Sequence, residues 1–179
     1  EALGPESVVT LDRGTGFGEA IAAGLSHAER DPAEHDDQFI WILHDDCAPA
    51  PDALKQLLVA IADAPSIAVA GPKVIAWHDR HWLLEVGLTA TWLGRRETGL
   101  ERHEQDQGQH DAQRDVLAVG SPGLLIRREV WDRLGGFDPQ LRLFGDDLDL
   151  GWRANLAGAR VSVVPSAMVF HAEARAHGR

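Results

Sequence analysis

The chain has 179 residues, of which 44% are apolar and 25% are charged, as expected for one globular domain with a hydrophobic core. Its formal net charge of −11 argues against nucleic acid or an anionic membrane surface as the main partner, although a divalent cation could bring a phosphate-bearing ligand to it. The single cysteine, Cys47, excludes an internal disulfide, and no apolar run approaches the roughly 20 residues that cross a bilayer.

The first half of the chain alternates apolar runs with amphipathic segments. The runs at 8–11, 39–43, 67–70, 73–77 and 82–91 predict strands, and the continuous apolar run at 39–43 is typical of a strand buried on both faces. Helical spacing predicts helices at 17–28 and 53–62. The glycine-rich segment 14–18 fails a dinucleotide fingerprint at Glu19 and is interpreted as a tight strand-to-helix turn.

The second half opens on a polar stretch, residues 95–115, which predicts a long surface loop and a candidate lid. A helix is predicted at 128–134, ending at Gly135, and another at 146–157, ending at Gly158. Strands are predicted at 161–164 and 168–170, and the tail at 172–179 is predicted to be loose.

Strands that alternate with helices predict one α/β domain over residues 1–179, a three-layer sandwich with a mixed but mostly parallel sheet. Ligands bind at the carboxyl ends of the strands in such sheets. His44, Asp45 and Asp46 stand directly after the predicted strand at 39–43. The carboxylates of Asp45 and Asp46 suit Mg²⁺ or Mn²⁺. The alternative is that these acids belong to a strand-end turn or cap the next helix.

A second acidic cluster, Asp146, Asp147 and Asp149, opens the predicted helix at 146–157. A helix start favours negative charge, but three acids exceed what one helix start needs. Asp146 as N-cap, with Asp149 three residues later, approximates a capping box. Asp147 is then the spare carboxylate, which makes it a candidate general base.

Histidine and tryptophan side chains provide weaker candidates. His171 follows the predicted strand at 168–170 and is either a metal ligand or a hydrogen-bonded structural histidine. Most of the tryptophans are predicted to lie in the core, but Trp82 and Trp92 flank a loop, where an aromatic face can stack on a sugar ring. The histidines in polar segments are predicted to be solvated: His27, His35, His78, His81, His103, His110 and His177.

A pattern of residues links these clusters over positions 8–172. It comprises the triplet ending at Asp46, Gly120, 124–128, Gly135-Gly136-Phe137-Asp138, 146–150, Arg153, Gly158, Pro165, Ala167 and His171. This pattern resembles the inverting family 2 glycosyltransferases, which have the GT-A fold. The chain is most similar to very large actinobacterial members in which this domain is joined to membrane-spanning segments.

The resemblance implies a donor site built on His44, Asp45 and Asp46. This triplet occupies the Asp-x-Asp position, which holds Mn²⁺ or Mg²⁺ against the diphosphate of a nucleotide-diphosphate sugar. Asp46 is the implied metal ligand, with Asp45 near the ribose or sugar, and His171 matches a histidine that completes the metal shell in some members. Backbone at Gly120 and Gly123 would approach the donor sugar.

The resemblance also implies an acceptor side. Asp147 matches the second acid of the family's Glu-Asp pair, which deprotonates the acceptor hydroxyl. The other implied acceptor-side or supporting residues are Asp146, Asp149, Trp82 and Arg153.

Four departures from the family pattern are visible. His44 replaces the first acid and can bind metal only when neutral, Asp146 replaces the glutamate, and Gly14 and Ala22 replace two asparagines. The family's first two strands, with the Asp-x-Ser turn that binds the base, have no counterpart. The chain is therefore expected to be an N-terminally truncated fragment with an uncovered sheet edge.

The expected function is metal-dependent, inverting transfer of a sugar to a hydroxyl of a glycan or lipid-linked acceptor, in cell-envelope synthesis at the cytoplasmic face of the membrane. Two alternatives remain. A metal-dependent phosphohydrolase would use the triplet and His171. A non-catalytic binding module is favoured by His44 and the absent strands.

Overall fold

A computed structural model of the protein describes residues 7–28, 38–141 and 144–172. The helices are α1 (Phe17–His27), α2 (Ala53–Asp63), α3 (Arg128–Leu134) and α4 (Asp146–Leu156). The strands are β1 (Phe39–Trp41), β2 (Cys47–Pro49), β3 (Ile67–Ala76), β4 (Leu83–Glu85), β5 (Thr89–Ala90), β6 (Arg96–Glu97), β7 (Arg114–Asp115), β8 (Leu125–Arg127) and β9 (Arg160–His171). His35, His177 and the predicted tail beyond Ala172 lie outside the described residues.

The main sheet is mixed, which confirms the α/β prediction, but the strand directions correct it. β8 lies between β1 and β3 and runs antiparallel to both, while β2 and β7 are antiparallel to β9 and β4 is antiparallel to β3. Among the described residues only β3 and β9 pair in parallel, so the expectation of a mostly parallel sheet is wrong. β1, β3 and β9 do point the same way, but hydrophobic periodicity carries no information about the strand inserted between them.

β3 and β9 are each one long strand where the sequence predicts two. Pro72 lies opposite Val164, and the next pair is Lys73 with Met168, so residues 165–167 of β9 bulge out of the ladder. A proline cannot donate a ladder hydrogen bond and is tolerated at such an irregularity. The two strands therefore continue past their prolines to the end of the sheet at which His171 lies.

Two apolar clusters lie on opposite faces of this sheet and give the predicted three layers. α2 covers one face through Leu57 and Ile61, and α3 and α4 cover the other through Val130 and Leu150. Adjacent residues of one strand face opposite sides, as Leu125 packs in the α2 cluster and Ile126 in the α3–α4 cluster. No helix among the described residues has the length and apolarity required to cross a membrane.

The segment before α1 is a turn, as predicted, but residues 8–11 are exposed and form no strand in the part of the chain that the structure describes. A β-type run without a partner strand has no ladder hydrogen bonds to hold it extended. The Thr15 amide donates to the Asp12 carbonyl at 3.2 Å, and the Gly16 amide donates to the Glu19 carboxylate at 2.9 Å. Glu19, the residue that breaks the dinucleotide fingerprint, therefore caps the start of α1.

The polar segment at 95–115 is attached to the sheet. It contains β6 and β7, and its Asp106 and Asp111 both accept hydrogen bonds from Lys73 of β3, at 2.9 Å in the case of Asp106. Lys73 is buried, and a buried ammonium group requires such partners. This ion-pair cluster fixes the path of the segment over the sheet.

The close approach of α4 to the chain before β8 depends on Gly151. A methyl group there would lie 2.6 Å from the Leu117 carbonyl oxygen and would collide with Ala118. We expect Gly151→Ala to lower the free energy of unfolding by about 1–3 kcal/mol because of this overpacking, measured by urea denaturation.

The matched control for Gly151→Ala is Gly24→Ala in α1. Among the described atoms, none lies within 4 Å of the added methyl group there. Gly24→Ala should therefore be neutral or stabilising by up to about 1 kcal/mol. Equal effects of the two substitutions would contradict the close packing of α4.

Candidate active site

His44, Asp46 and His171 converge at one end of the sheet. The His171 Nε2 lies 3.0 Å from the Asp46 Oδ1, and the His44 Nδ1 lies 4.0 Å from the same oxygen. One potential ligand atom from each residue lies within 4.8 Å of the other two. The side chains are partly exposed, so an ion and a ligand can reach them from solvent.

Strand pairing explains why residues so far apart in sequence meet. β2 begins directly after Asp46 and pairs antiparallel with the end of β9, where Cys47 lies opposite His171. The Ala172 amide then donates to the Asp46 carbonyl at 2.9 Å, which extends this pairing. The predicted role of His171 as a partner of Asp46 is therefore built into the β2–β9 register.

His44 is held in place on two sides. Its Nε2 lies 2.8 Å from the Ser121 hydroxyl, and its ring packs edge-on against Phe17 and His171. Burial and the neighbouring His171 lower the pKa of His44 below its ordinary value. A neutral imidazole is the form that binds metal, so His44 is suited to the position that an acid holds in the Asp-x-Asp pattern.

The remaining predicted donor-side residues lie around this triad. Asp45 is exposed. Gly123, at φ +94°, has no room for a side chain because a methyl group would lie 2.7 Å from Pro72. At Gly120 a methyl group would lie 2.5 Å from the Glu85 carboxylate, so a glycine is needed there to let this acid approach.

The acids of α4 are arranged differently from the predicted capping box. Gly145, at φ +87°, is the N-cap, so Asp146 is the first helical residue, and the capping-box interpretation of Asp146 and Asp149 is wrong. Asp146 and Asp147 are both buried at the start of the helix. Burial and the neighbouring Asp147 raise the pKa of Asp146. The chain turns at Gly145 through a left-handed conformation, which glycine adopts without the steric cost that a side chain brings.

Asp149, Arg153 and Trp82 have partners other than Asp147. Arg153 binds Asp149 and also donates to the carbonyls of Leu134 and Gly136, at 2.9 and 2.8 Å, so this pair braces α4 against the end of α3. Trp82 stacks on His103 with ring centroids 4.6 Å apart.

The sequence analysis missed a buried carboxylate, Glu85 at the end of β4. Its carboxylate accepts hydrogen bonds from the Gly120 amide at 2.5 Å and from Arg96 at 2.6 Å. The Nε of the same arginine lies 3.5 Å from the Asp147 Oδ2. Burial raises the pKa of Glu85 to about 7, although Arg96 and the Gly120 amide act in the opposite direction. The one available signal was an acid inside the apolar run at 83–86.

Residues 3–178 match the profile of the family described as "Glycosyltransferase like family 2". The chain belongs to this family. Its fold agrees, because the structure is similar to that of the enzyme GalNAc-T7 solved with UDP, GalNAc and Mn²⁺. That match has a TM-score of 0.64 at 17% identity and covers 88% of this chain and 30% of the other, so it supports the GT-A fold.

Curated relatives of this glycosyltransferase domain are bacterial. It is 30% identical over 139 residues to the pre-mycofactocin glycosyltransferase of Mycobacterium tuberculosis, covering 74% of this chain and 26% of the relative. It is 38% identical over 68 residues to the N-acetylglucosaminyl-diphospho-decaprenol L-rhamnosyltransferase of the same species, covering 38% and 22%. A 60-residue match at 40% identity to the O-antigen biosynthesis protein RfbC of Myxococcus xanthus covers 34% and 5%. The domain thus spans about a quarter or less of each relative.

The triad predicts metal-dependent stability. We expect Mn²⁺ to raise the melting temperature of the wild type, since a ligand at 100 times its Kd stabilises by about 2.7 kcal/mol. Asp46→Asn should abolish the shift because it removes the negative charge of the triad's one carboxylate, and His171→Gln should reduce it because it removes one imidazole nitrogen. The matched control is His78→Gln, because His78 is exposed and lies outside the triad. An unchanged shift in Asp46→Asn would show that the ion binds elsewhere.

The raised pKa of Glu85 predicts that the stability of the domain depends on pH. Between the ordinary glutamate pKa of 4.5 and about 7, the unfolded chain has lost a proton that the folded Glu85 keeps. The free energy of unfolding should therefore fall as pH rises through this window and level off above it. In Glu85→Gln the fall between pH 5 and 7.5 should be smaller by about 1–3 kcal/mol. Parallel curves in urea denaturation would contradict the raised pKa.

Proposed function

We propose that this domain transfers a sugar from a nucleotide-diphosphate sugar to an acceptor hydroxyl, with a metal ion at the donor and with inversion at the anomeric carbon. Membership of the glycosyltransferase family supports the reaction class. The observation that supports the mechanism is a buried carboxylate, Asp147, joined to the triad by a chain of polar contacts. That chain runs from Asp147 through Arg96, Glu85 and Gly120 to Ser121, which binds His44.

The donor set supports a divalent ion, with Mn²⁺ favoured over Mg²⁺. His44 and His171 would contribute imidazole nitrogens and Asp46 a carboxylate oxygen. Mg²⁺ prefers all-oxygen shells, whereas Mn²⁺ accepts imidazole more readily. When bound, the ion would neutralise the charge of the departing diphosphate, which a domain with a net charge of −11 would otherwise repel.

Asp147 is proposed to act as the general base. Its Oδ1 accepts a hydrogen bond from the Leu148 amide at 2.7 Å, so its Oδ2 is the oxygen left to receive a proton. That oxygen takes the proton of the acceptor hydroxyl while the hydroxyl oxygen forms a bond to the anomeric carbon and the bond to the diphosphate breaks. A single displacement of this kind inverts the configuration of the carbon.

The acceptor is proposed to be a glycan or a lipid-linked saccharide of the cell envelope. Two relatives support this, one named for a diphospho-decaprenol and the other for O-antigen biosynthesis. A lipid-linked acceptor would place the domain at the cytoplasmic face of the membrane, where nucleotide sugars are available. The relatives do not share one named sugar, so the proposed donor is a nucleotide-diphosphate sugar of unspecified sugar type.

Asp147→Asn tests the proposed base. In the full-length protein we expect sugar transfer to fall by about 100-fold or more, because general base catalysis typically contributes 10²–10⁴-fold. Binding of the nucleotide diphosphate with Mn²⁺, measured by calorimetry, should be retained, since Asp147 is not part of the triad. The product of the wild type, examined by NMR, should carry the inverted anomeric configuration.

The control for this experiment is Asp63→Asn, which removes one exposed charge at the end of α2. It should leave transfer unchanged. Nucleotide hydrolysis that needs no acceptor and survives Asp147→Asn would support a phosphohydrolase instead. Failure of the full-length wild type to bind any nucleotide diphosphate would refute the transferase proposal.

A further inference from the structure

The contact between Arg96 and Asp147 gives the β5–β6 hairpin a place in catalysis. Arg96 belongs to β6, within the polar segment at 95–115, and its side chain is 42% exposed. One nitrogen of its guanidinium donates to Glu85 at 2.6 Å and another faces the Asp147 Oδ2 at 3.5 Å. The hairpin pairs only with itself among the described strands, so this bridge is one of its links to the body of the domain.

We propose that Arg96 is a positioning residue for Asp147, held by the buried Glu85 so that its guanidinium orients the Asp147 carboxylate. This inference rests on the proposed function, because it assigns Arg96 a role in the same proton transfer.

The geometry supports an indirect role for Arg96. The short bond to Glu85 anchors the guanidinium, and the planar fork of arginine fixes the direction of its other nitrogen. At 3.5 Å that nitrogen attracts the Asp147 oxygen without a full hydrogen bond, which leaves a lone pair of Oδ2 for the acceptor proton. Arginine remains charged throughout, so its attraction for the Asp147 oxygen persists at every pH of the assay.

Glu85 connects this contact to the metal end of the site. Its second oxygen accepts the amide of Gly120, next to Ser121, whose hydroxyl binds His44. One buried carboxylate thereby sets the position of the arginine that faces the base and of the loop that holds the first member of the triad. These two contacts of Glu85 explain why an acid lies in an otherwise apolar strand.

The charges around the pair determine the expected pH effect. Asp147 faces Arg96 of β6 and Asp146 of its own helix, and it lies in the field of Glu85 from β4 and of His44 after β1. Arg96 is the permanent cation in this group. Its removal should therefore make Glu85 and Asp146, whose ionised forms it favours, harder to ionise.

Kinetics of the full-length protein between pH 5 and 9 test this role. Arg96→Gln should lower kcat by about 10–100-fold through loss of positioning, with the donor KM changed much less. Arg96→Lys should restore only part of kcat, because it keeps the charge but lacks the planar fork that fixes the direction of the second nitrogen.

The matched control is Arg95→Gln, which removes the same charge from the adjacent, exposed position. Arg95→Gln should behave as the wild type. If Arg96→Gln matched Arg95→Gln in kcat, the positioning role would be overturned. No transfer by the wild type with any nucleotide sugar would overturn the proposed function, and the role of Arg96 with it.

A double-mutant cycle separates positioning from general stabilisation. Because Glu85 acts on Asp147 through Arg96, Glu85→Gln and Arg96→Gln should be non-additive in kcat. Melting temperatures of the three variants show whether each is folded at the assay temperature. Additive losses of kcat in folded variants would mean that Arg96 does not depend on Glu85. That result would refute the proposal that Glu85 holds Arg96 in position.

Discussion

β9 pairs with three other strands, and the site depends on that pairing. It runs parallel to β3 along most of its length, while β2 and β7 pair with it antiparallel at different positions. α2 and α4 pack against it from the two faces of the sheet. Because Cys47 lies opposite His171 in this ladder, the register alone places His171 beside Asp46. A register shift of one residue would turn His171 to the other face of the sheet and separate it from Asp46 and His44.

The second constraint is electrostatic. A domain with a net charge of −11 buries acids at its functional end, and each has a compensating partner. Asp146 and Asp147 lie at a helix start, where free amides and the helix dipole favour negative charge. Glu85 has Arg96 and the Gly120 amide. Among the described residues, no buried side-chain nitrogen or oxygen lacks a hydrogen-bond partner. The acids therefore persist in a folded domain, where the proposed mechanism assigns them to a cation and to the acceptor proton.

Much of this fold could be predicted from local pattern. The four helices begin and end within one residue of the predicted bounds, because apolar spacing and terminal glycines act within a few residues. The strands carrying His171 and preceding His44 were also found. The errors have a common cause: the direction of β8, the continuity of β3 and β9 past their prolines, and the unpaired segment at 8–11 all depend on partner strands distant in sequence.

The sequence by itself determined which residues are available for chemistry: an acidic triplet after β1, acids at the start of α4 and a histidine at the end of β9. Residue type and spacing within one element suffice for that. Only the tertiary structure decided how they are used. It made Gly145 the cap of α4 and joined Asp147 to the triad through Glu85 and Arg96. Those contacts connect residues that are separate in the chain, and their distances follow from packing, which no local pattern encodes.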